Sequence, residues 1–218
     1  MNSNNKNIIV VNKPKGVTSF WVVNFIKRKF KYKKVGHAGT LDPNATGVLV
    51  LGINEGTKEL SNLLLDNKEY IATIQFGYRT DSYDTEGKII DKTTNKVSFK
   101  EIENYLSSFQ NVEIYQTPPI YSAIKINGKK LYEYARENKP VDIEQRKVKI
   151  IENEILSFDV ENQILKIRLL VSKGFYIRSF ANDIGLALNN FATLIDLQRT
   201  KSGEFSLDDA INVDWNMS

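Results

Sequence analysis

Cysteine is absent from this 218-residue chain, and there is one histidine, His37. Disulfides and thiolate metal sites are excluded, and a zinc site would have to be built almost wholly from carboxylates. No apolar run approaches the roughly 20 residues of a membrane span, and no signal peptide opens the chain. A P-loop is missing, because no Gly-Lys-Ser/Thr follows Gly36-x-x-Gly39. There is no Gly-x-Ser-x-Gly elbow, and the lone histidine has no evident triad serine. The lack of cysteine fits a cytoplasmic protein, and that is the expected localisation, with no membrane association.

What is present fits a folded, globular chain. Hydrophobic residues make up 41% and charged residues 26%, with a net charge of +4, a balance that permits nucleic-acid binding without specifying it. The positive charge is concentrated. Lys27-Arg28-Lys29-Phe30-Lys31-Tyr32-Lys33-Lys34 puts six cations in eight residues. Such a run is either a solvated helix end or a phosphate-binding surface. It leads directly into Gly36-His37-Ala38-Gly39-Thr40-Leu41-Asp42-Pro43-Asn44-Ala45-Thr46-Gly47. Three glycines and a proline give this stretch a backbone that a helix or strand would not supply. It reads as a rigid polar loop ahead of the apolar strand Val48-Leu49-Val50-Leu51, where a scaffold can present catalytic groups.

Periodicity divides the rest. Residues 8–11 read as a strand, and Thr18-Ser19 caps a helix with Val22, Val23, Phe25, Ile26 and Phe30 on its apolar face. Gly56-Thr57 opens a second helix through Leu65, and residues 70–77 alternate as a strand. A capped helix is expected over 98–108, a stiff extended segment over 117–123 and a short basic helix over 129–138. Strands follow at 146–158, 163–172 and 193–205, with a helix over 176–188 between the last two. Helices fall between groups of strands rather than after each one. The expected class is therefore α+β, with a mixed, mainly antiparallel sheet and flanking helices. The expected organisation is a disordered N-terminus (1–7), one catalytic domain (8–206) and a short helix-like tail (207–218).

Several residues carry candidate chemistry. Asp42 precedes a proline, which biases it away from helical backbone; it is either a turn aspartate or a nucleophile or base. Arg178, in Ser172-Lys173-Gly174-Phe175-Tyr176-Ile177-Arg178, falls in the first turn of a helix, where the dipole disfavours a cation and calls for a carboxylate partner. That partner could be Asp42, held ionised by a bidentate pair. Tyr70 heads a strand, and is either core or a ring that stacks on a base. His37 is either a loop hydrogen-bonder or a stacking residue beneath an unpaired base. Lys13, in Asn12-Lys13-Pro14-Lys15-Gly16, marks a further loop beside the same site.

These motifs resemble, in order and over roughly residues 8–205, those of the TruB family of tRNA pseudouridine-55 synthases. Gly36-His37-Ala38-Gly39-Thr40-Leu41-Asp42-Pro43-x-Ala45-x-Gly47 is similar to the family signature. Asn12-Lys13-Pro14-x-Gly16, Lys68-x-Tyr70, Arg79-Thr80-Asp81-x-x-Asp84, Pro118-Pro119-x-Tyr121-Ser122-Ala123-x-Lys125, Gly128-Lys129-Lys130-Leu131-Tyr132, Ser172-Lys173-Gly174-x-Tyr176-Ile177-Arg178 and Leu197-x-Arg199-Thr200 match its other motifs. The resemblance implies the pseudouridine synthase fold with a central RNA-binding cleft. It implies isomerisation of a T-loop uridine, with Asp42, Tyr70 and Arg178 catalytic. His37, Lys13, Tyr176, Leu197, Lys29, Lys31, Lys33, Lys129 and Lys130 are then expected to contact substrate or RNA. The expected partner is the T arm of tRNA, bound by a monomer without a cofactor or obligatory protein partner. Many members carry a C-terminal RNA-binding domain of the PUA type, and this chain is expected to lack one. The alternative reading is an RNA-binding or tRNA-folding module with incidental catalysis or none.

Overall fold

The computed structural model describes residues 7–137 and 139–215. In chain order the elements are β1 (Ile8–Lys13), α1 (Ser19–Lys29), β2 (Val35–Ala38), β3 (Thr46–Ile53), α2 (Leu60–Leu63), β4 (Lys68–Phe76), β5 (Tyr78–Thr80), β6 (Ile89–Lys92), α3 (Phe99–Ser107), β7 (Val112–Gln116), β8 (Lys125–Ile126), β9 (Lys129–Lys130), α4 (Leu131–Arg136), β10 (Arg146–Asp159), β11 (Ile164–Val171), α5 (Ile177–Ala187), β12 (Ala192–Ser202), β13 (Phe205–Ser206) and β14 (Ala210–Ile211). Two compact units contain them: Met1–Ile71 with Asp196–Ser218, and Ala72–Ile195.

In the first unit β14, β1, β3 and β12 lie side by side in that order, with β2 also on β3 and β13 on β12. β1 and β2 run antiparallel to β3, whereas β14 pairs parallel with β1 and β12 parallel with β3. The order explains the apolar run in β3. Leu49 and Leu51 face α1 through Val22, Val23, Phe25 and Ile26, while Val48 and Val50 pack the opposite face with Val10 and Ala38. A strand buried on both faces cannot alternate. α1 begins where expected, with Thr18 Oγ1 accepting from the Trp21 N–H at 3.0 Å.

In the second unit β4, β11, β10 and β7 lie in that order, with separate hairpins β5–β6 and β8–β9. β10 pairs antiparallel with both β11 and β7. β11 alternates as a half-buried strand should, burying Leu165, Ile167, Leu169 and Val171. α3 carries a full capping box, Ser98 with Glu101, and buries Ile102 and Leu106. Mixed, mainly antiparallel pairing with few helices makes the fold α+β.

Some local expectations change. Residues 35–38 are strand rather than loop, so His37 sits in a β-ladder opposite Leu51. The helix expected from Gly56 is a 3-10 turn over Asn54–Lys58 followed by the single turn of α2. Gly56 packs so closely on the Asn7 backbone that a Cβ there would overlap it, and a regular helix does not fit. Phe30 is 41% exposed and stacks on Tyr32, outside the core. The basic helix is shorter than expected, because Lys129–Lys130 form a strand first; its expected end, Asn138, lies outside the described residues, as do residues 1–6 and 216–218. Asn7 is placed, its carbonyl accepting from the Ile53 N–H at 2.7 Å. The tail at 207 starts with a 3-10 turn, then adds β14 to the sheet.

Candidate active site

Asp42 lies in a turn closed by the Ala45 N–H donating to its carbonyl at 3.1 Å, and its side chain is half-buried. The residues on both sides of it are pinned. Ser19 Oγ accepts from the Leu41 N–H at 2.8 Å and donates to the Leu41 carbonyl at 3.0 Å. The Pro43 carbonyl accepts from Lys13 Nζ and from the Gly16 N–H, both at 2.9 Å. Lys13 Nζ also donates to the carbonyls of Pro14 at 2.8 Å and Val17 at 2.7 Å. The ends of the loop are held by Arg199, whose Nε donates to the Val48 carbonyl at 2.8 Å and Nη2 to the Gly39 carbonyl at 3.0 Å. Lys13, Ser19 and Arg199 are at most 1% exposed, so these bonds are not in competition with bulk water. Gly39 and Gly47 both adopt left-handed φ, +86° and +105°, and a Cβ on Gly47 would overlap the Arg199 backbone. That is why glycine stands at these two positions.

His37 presents a half-buried ring with its buried Nδ1 unpaired among the described residues. Burial first, and the Arg199 charge second, hold its pKa below the ordinary histidine value. Leu197 is buried on β12, and its carbonyl accepts from Thr46 Oγ1 at 3.5 Å, beside the end of the Asp42 loop. Tyr70 is the third residue of β4 and 9% exposed. Its neighbours are anchored: Glu69 Oε1 accepts from Thr200 Oγ1 at 2.7 Å, and Lys68 Nζ donates to the carbonyls of Leu63, Leu64 and Asp66. Lys68 thereby satisfies carbonyls left over at the end of α2, and burial lowers its pKa. The first unit thus brings Lys13, Leu197 and the turn of Asp42 to the Gly47 end of β3, while His37 pairs further along the same strand, opposite Leu51.

The basic run is an exposed ridge after α1. Lys29 reaches the Asp214 carbonyl at 2.5 Å and lies over the Phe25 ring, while Lys31 and Lys33 are exposed.

In the second unit Arg178 is in the first turn of α5, as the motif suggested, and is 5% exposed. Its Nη1 donates to the Ser82 carbonyl at 3.3 Å, its Nη2 to the Tyr121 carbonyl at 3.0 Å, and its Nε lies 3.6 Å from Asp84 Oδ2. Asp84, from the Arg79-Thr80-Asp81-x-x-Asp84 motif, is therefore a carboxylate neighbour of the kind the helix dipole calls for. Tyr176 is half-buried, and its backbone is held at both ends by the Gln116 amide: its N–H donates to Oε1 at 2.7 Å and its carbonyl accepts from Nε2 at 2.9 Å. Lys129 lies over the Tyr134 ring and Lys130 over that of Tyr132, both within about 5.3 Å of the centroid. Sequence reasoning missed Ser19, read only as part of a cap, and it gave no role to Arg199, Gln116 or Asp84. For Ser19, Arg199 and Asp84 the signal is polarity inside a motif or beside a cap; Gln116, at the end of β7, carries none.

A family model described as TruB family pseudouridylate synthase (N terminal domain) matches residues 27–177. The tRNA pseudouridine synthase B of Ureaplasma urealyticum is 56% identical over 217 residues, covering 97% of this chain and 95% of that protein. The protein of the same name from Mycoplasmoides gallisepticum is 43% identical, covering 99% of this chain and all of that protein. Among solved structures, a chain from the crystal structure of a Cbf5-Nop10-Gar1 complex superposes with a TM-score of 0.72 at 31% identity, over 92% of this chain; this chain spans 50% of that one. With the family model covering most of the chain and full-length relatives so similar, the chain belongs to the TruB family of pseudouridylate synthases.

Proposed function

We propose that this protein is a tRNA pseudouridine synthase that isomerises a uridine of the T loop, position 55, using Asp42. One observation carries the reading. Asp42 is held between two pinned neighbours, Leu41 and Pro43, in a chain 56% identical to a tRNA pseudouridine synthase B. A carboxylate presented on a backbone that cannot relax is pre-organised for attack.

The target base is stacked in folded tRNA and has to be extruded first, at a cost of a few kcal/mol. Exposed cations at Lys29, Lys31 and Lys33 offset this by phosphate contacts, joined by Lys129 and Lys130 beside their tyrosines. A neutral His37 ring stacks at the vacated position. The N1–C1′ bond then breaks, the uracil turns, and a C5–C1′ bond forms. The proton lost from C5 is matched by the one gained at N1, so no redox partner or group donor is required. The Asp42 carboxylate serves as nucleophile at C1′ or C6, or as base toward the 2′ proton. We assign Arg178 to the catalytic set with Asp42, Tyr70 to contact with the base, and Tyr176 and Leu197 to its pocket. We further propose that the protein acts in the cytoplasm as a monomer.

The test is to incubate purified protein with unmodified tRNA and map pseudouridine at nucleotide resolution. The expected result is modification of one T-loop uridine; a tRNA left unmodified, or modified elsewhere, overturns the assignment. A T-arm stem-loop is expected to be a competent substrate with kcat/KM close to that of full-length tRNA.

A further inference from the structure

Arg199 has the largest fully buried side chain among the described residues, at 1% exposure. It has no role in the chemistry above. A guanidinium stays charged at any accessible pH, and burying it is costly unless its donors are satisfied in good geometry. A hydrophobic side chain would fill the same space at no such cost. What the guanidinium adds here is a fixed angle between two bonds. Nε holds the Val48 carbonyl and Nη2 holds the Gly39 carbonyl. These residues lie on either side of the turn that contains Asp42. The Arg199 backbone closes the same frame, pairing in parallel register with Gly47 and leaving no room for a Cβ there.

Building on the role given to Asp42, we propose that Arg199 is a positioning residue for the isomerisation: its guanidinium clamps both ends of the loop so that the Asp42 carboxylate is delivered to the reacting carbon at one fixed distance and angle. The same clamp governs the neighbouring His37. Arg199 from β12 and Lys68 from β4 are the cations packed at this end of the loop; a Cβ on Gly39 would lie 3.4 Å from Arg199 Nη1 and 3.9 Å from Lys68 Cε. Asp42 is the acidic group of the loop itself. A protonated imidazole would need a partner for the buried Nδ1–H, and none is present among the described residues.

The test uses R199K, which keeps the charge and loses the fork, and R199M, which loses both. For R199K kcat on tRNA is expected to fall about tenfold or more with KM changed by less than about threefold. Amide exchange at residues 40–45 is expected to quicken in the free protein. For R199M the His37 ring, the only imidazole in the spectrum, is expected to titrate at a higher pH than in the unaltered protein. A smaller loss of kcat, or a loss without faster exchange in the loop, overturns the proposal. If neither variant folds, the unaltered protein decides. Loop amides that exchange as fast as free chain overturn the clamp, and protected amides support it. Exchange and titration need no turnover, so a wrong assignment of Asp42 shows in the activity of D42N and leaves the clamp measurements to stand or fall separately.

Discussion

Lys13 and Lys29 belong to the same unit and have opposite surroundings. Lys13 is fully buried and gives its ammonium to three loop carbonyls. Lys29 is exposed, as are Lys31 and Lys33 beside it. Lys68 repeats the first pattern with three carbonyls of its own. The difference separates two uses of one residue type. A buried ammonium replaces water around backbone carbonyls and so fixes the shape of a loop. An exposed one, even where it touches a single carbonyl as Lys29 touches that of Asp214, keeps its long-range field and can be drawn to a phosphate. The Lys13 motif, read from sequence as an RNA contact, sits where contacting RNA would mean releasing three carbonyls. We assign it to holding the Pro43 side of the Asp42 turn.

The largest expected effect tests what the buried framework is for. Asp42→Asn is nearly isosteric, but its amide is neither nucleophile nor base. Turnover of tRNA is expected to drop by roughly four orders of magnitude, while tRNA affinity, which we assign to the exposed ridge, is expected to change little. A single-turnover assay with a parallel binding titration checks both. Near-normal turnover removes Asp42 from the chemistry.

Arg178→Lys keeps a charge and loses the fork that reaches the Ser82 and Tyr121 carbonyls. We expect roughly 100-fold lower kcat/KM and a smaller proportional change in unfolding free energy. If activity and stability fall in step, Arg178 is a structural arginine only.

Lys13→Met sharpens the comparison directly. Three carbonyls lose their donor, and urea unfolding is expected to show a loss of about 2–4 kcal/mol. The salt dependence of tRNA binding is expected to stay as it was. A changed salt slope with unchanged stability would move Lys13 into the exposed class.

The converse variant replaces Lys29, Lys31 and Lys33 together with glutamine. Here stability is expected to hold and binding to weaken for many RNAs alike. The slope of log affinity against log salt should flatten by about 0.7–0.9 for each phosphate that is no longer neutralised. An unaltered slope would make the ridge a solvated surface.

The smallest effect concerns pH. The His37 pKa is lower in the folded protein than its ordinary value, so between those two values the unfolded chain binds the extra proton. Stability therefore rises with pH through that window, and is lost as the pH falls from 6.5 toward the folded pKa. In His37→Gln this part of the pH dependence is expected to disappear. Denaturant midpoints measured from pH 7.5 downward would show it, and identical curves for the two proteins would refute it.

The legible parts of this chain were those with local patterning. The caps at Thr18 and Ser98, the doubly buried run of β3 and the alternation in β11 all follow from residues within a few positions of one another. β2 was missed because four residues containing Gly36 and His37, next to a run of cations, give no strand pattern; only pairing with β3 makes them one. The site divides in the same way. Asp42, Tyr70 and Arg178 stood out through motif order. The framework around Asp42 did not, because Ser19 bonds a backbone 22 residues away and Arg199 one 160 residues away. Side-chain bonds to distant carbonyls carry no period and no spacing.

That long separation bears on when the protein becomes competent during synthesis. The Gly39 carbonyl leaves the ribosome early, whereas its donor is residue 199, and the first unit is assembled from both ends of the chain. Ala72–Ile195, contiguous in sequence, can collapse while translation continues. The strand that carries Arg199, and the β14 pairing beyond it, must arrive before the Asp42 turn can be locked. A ribosome-bound chain stalled before residue 199 would hold Asp42 in a slack loop. Isomerase activity is then withheld from nascent chains until residue 199 has emerged.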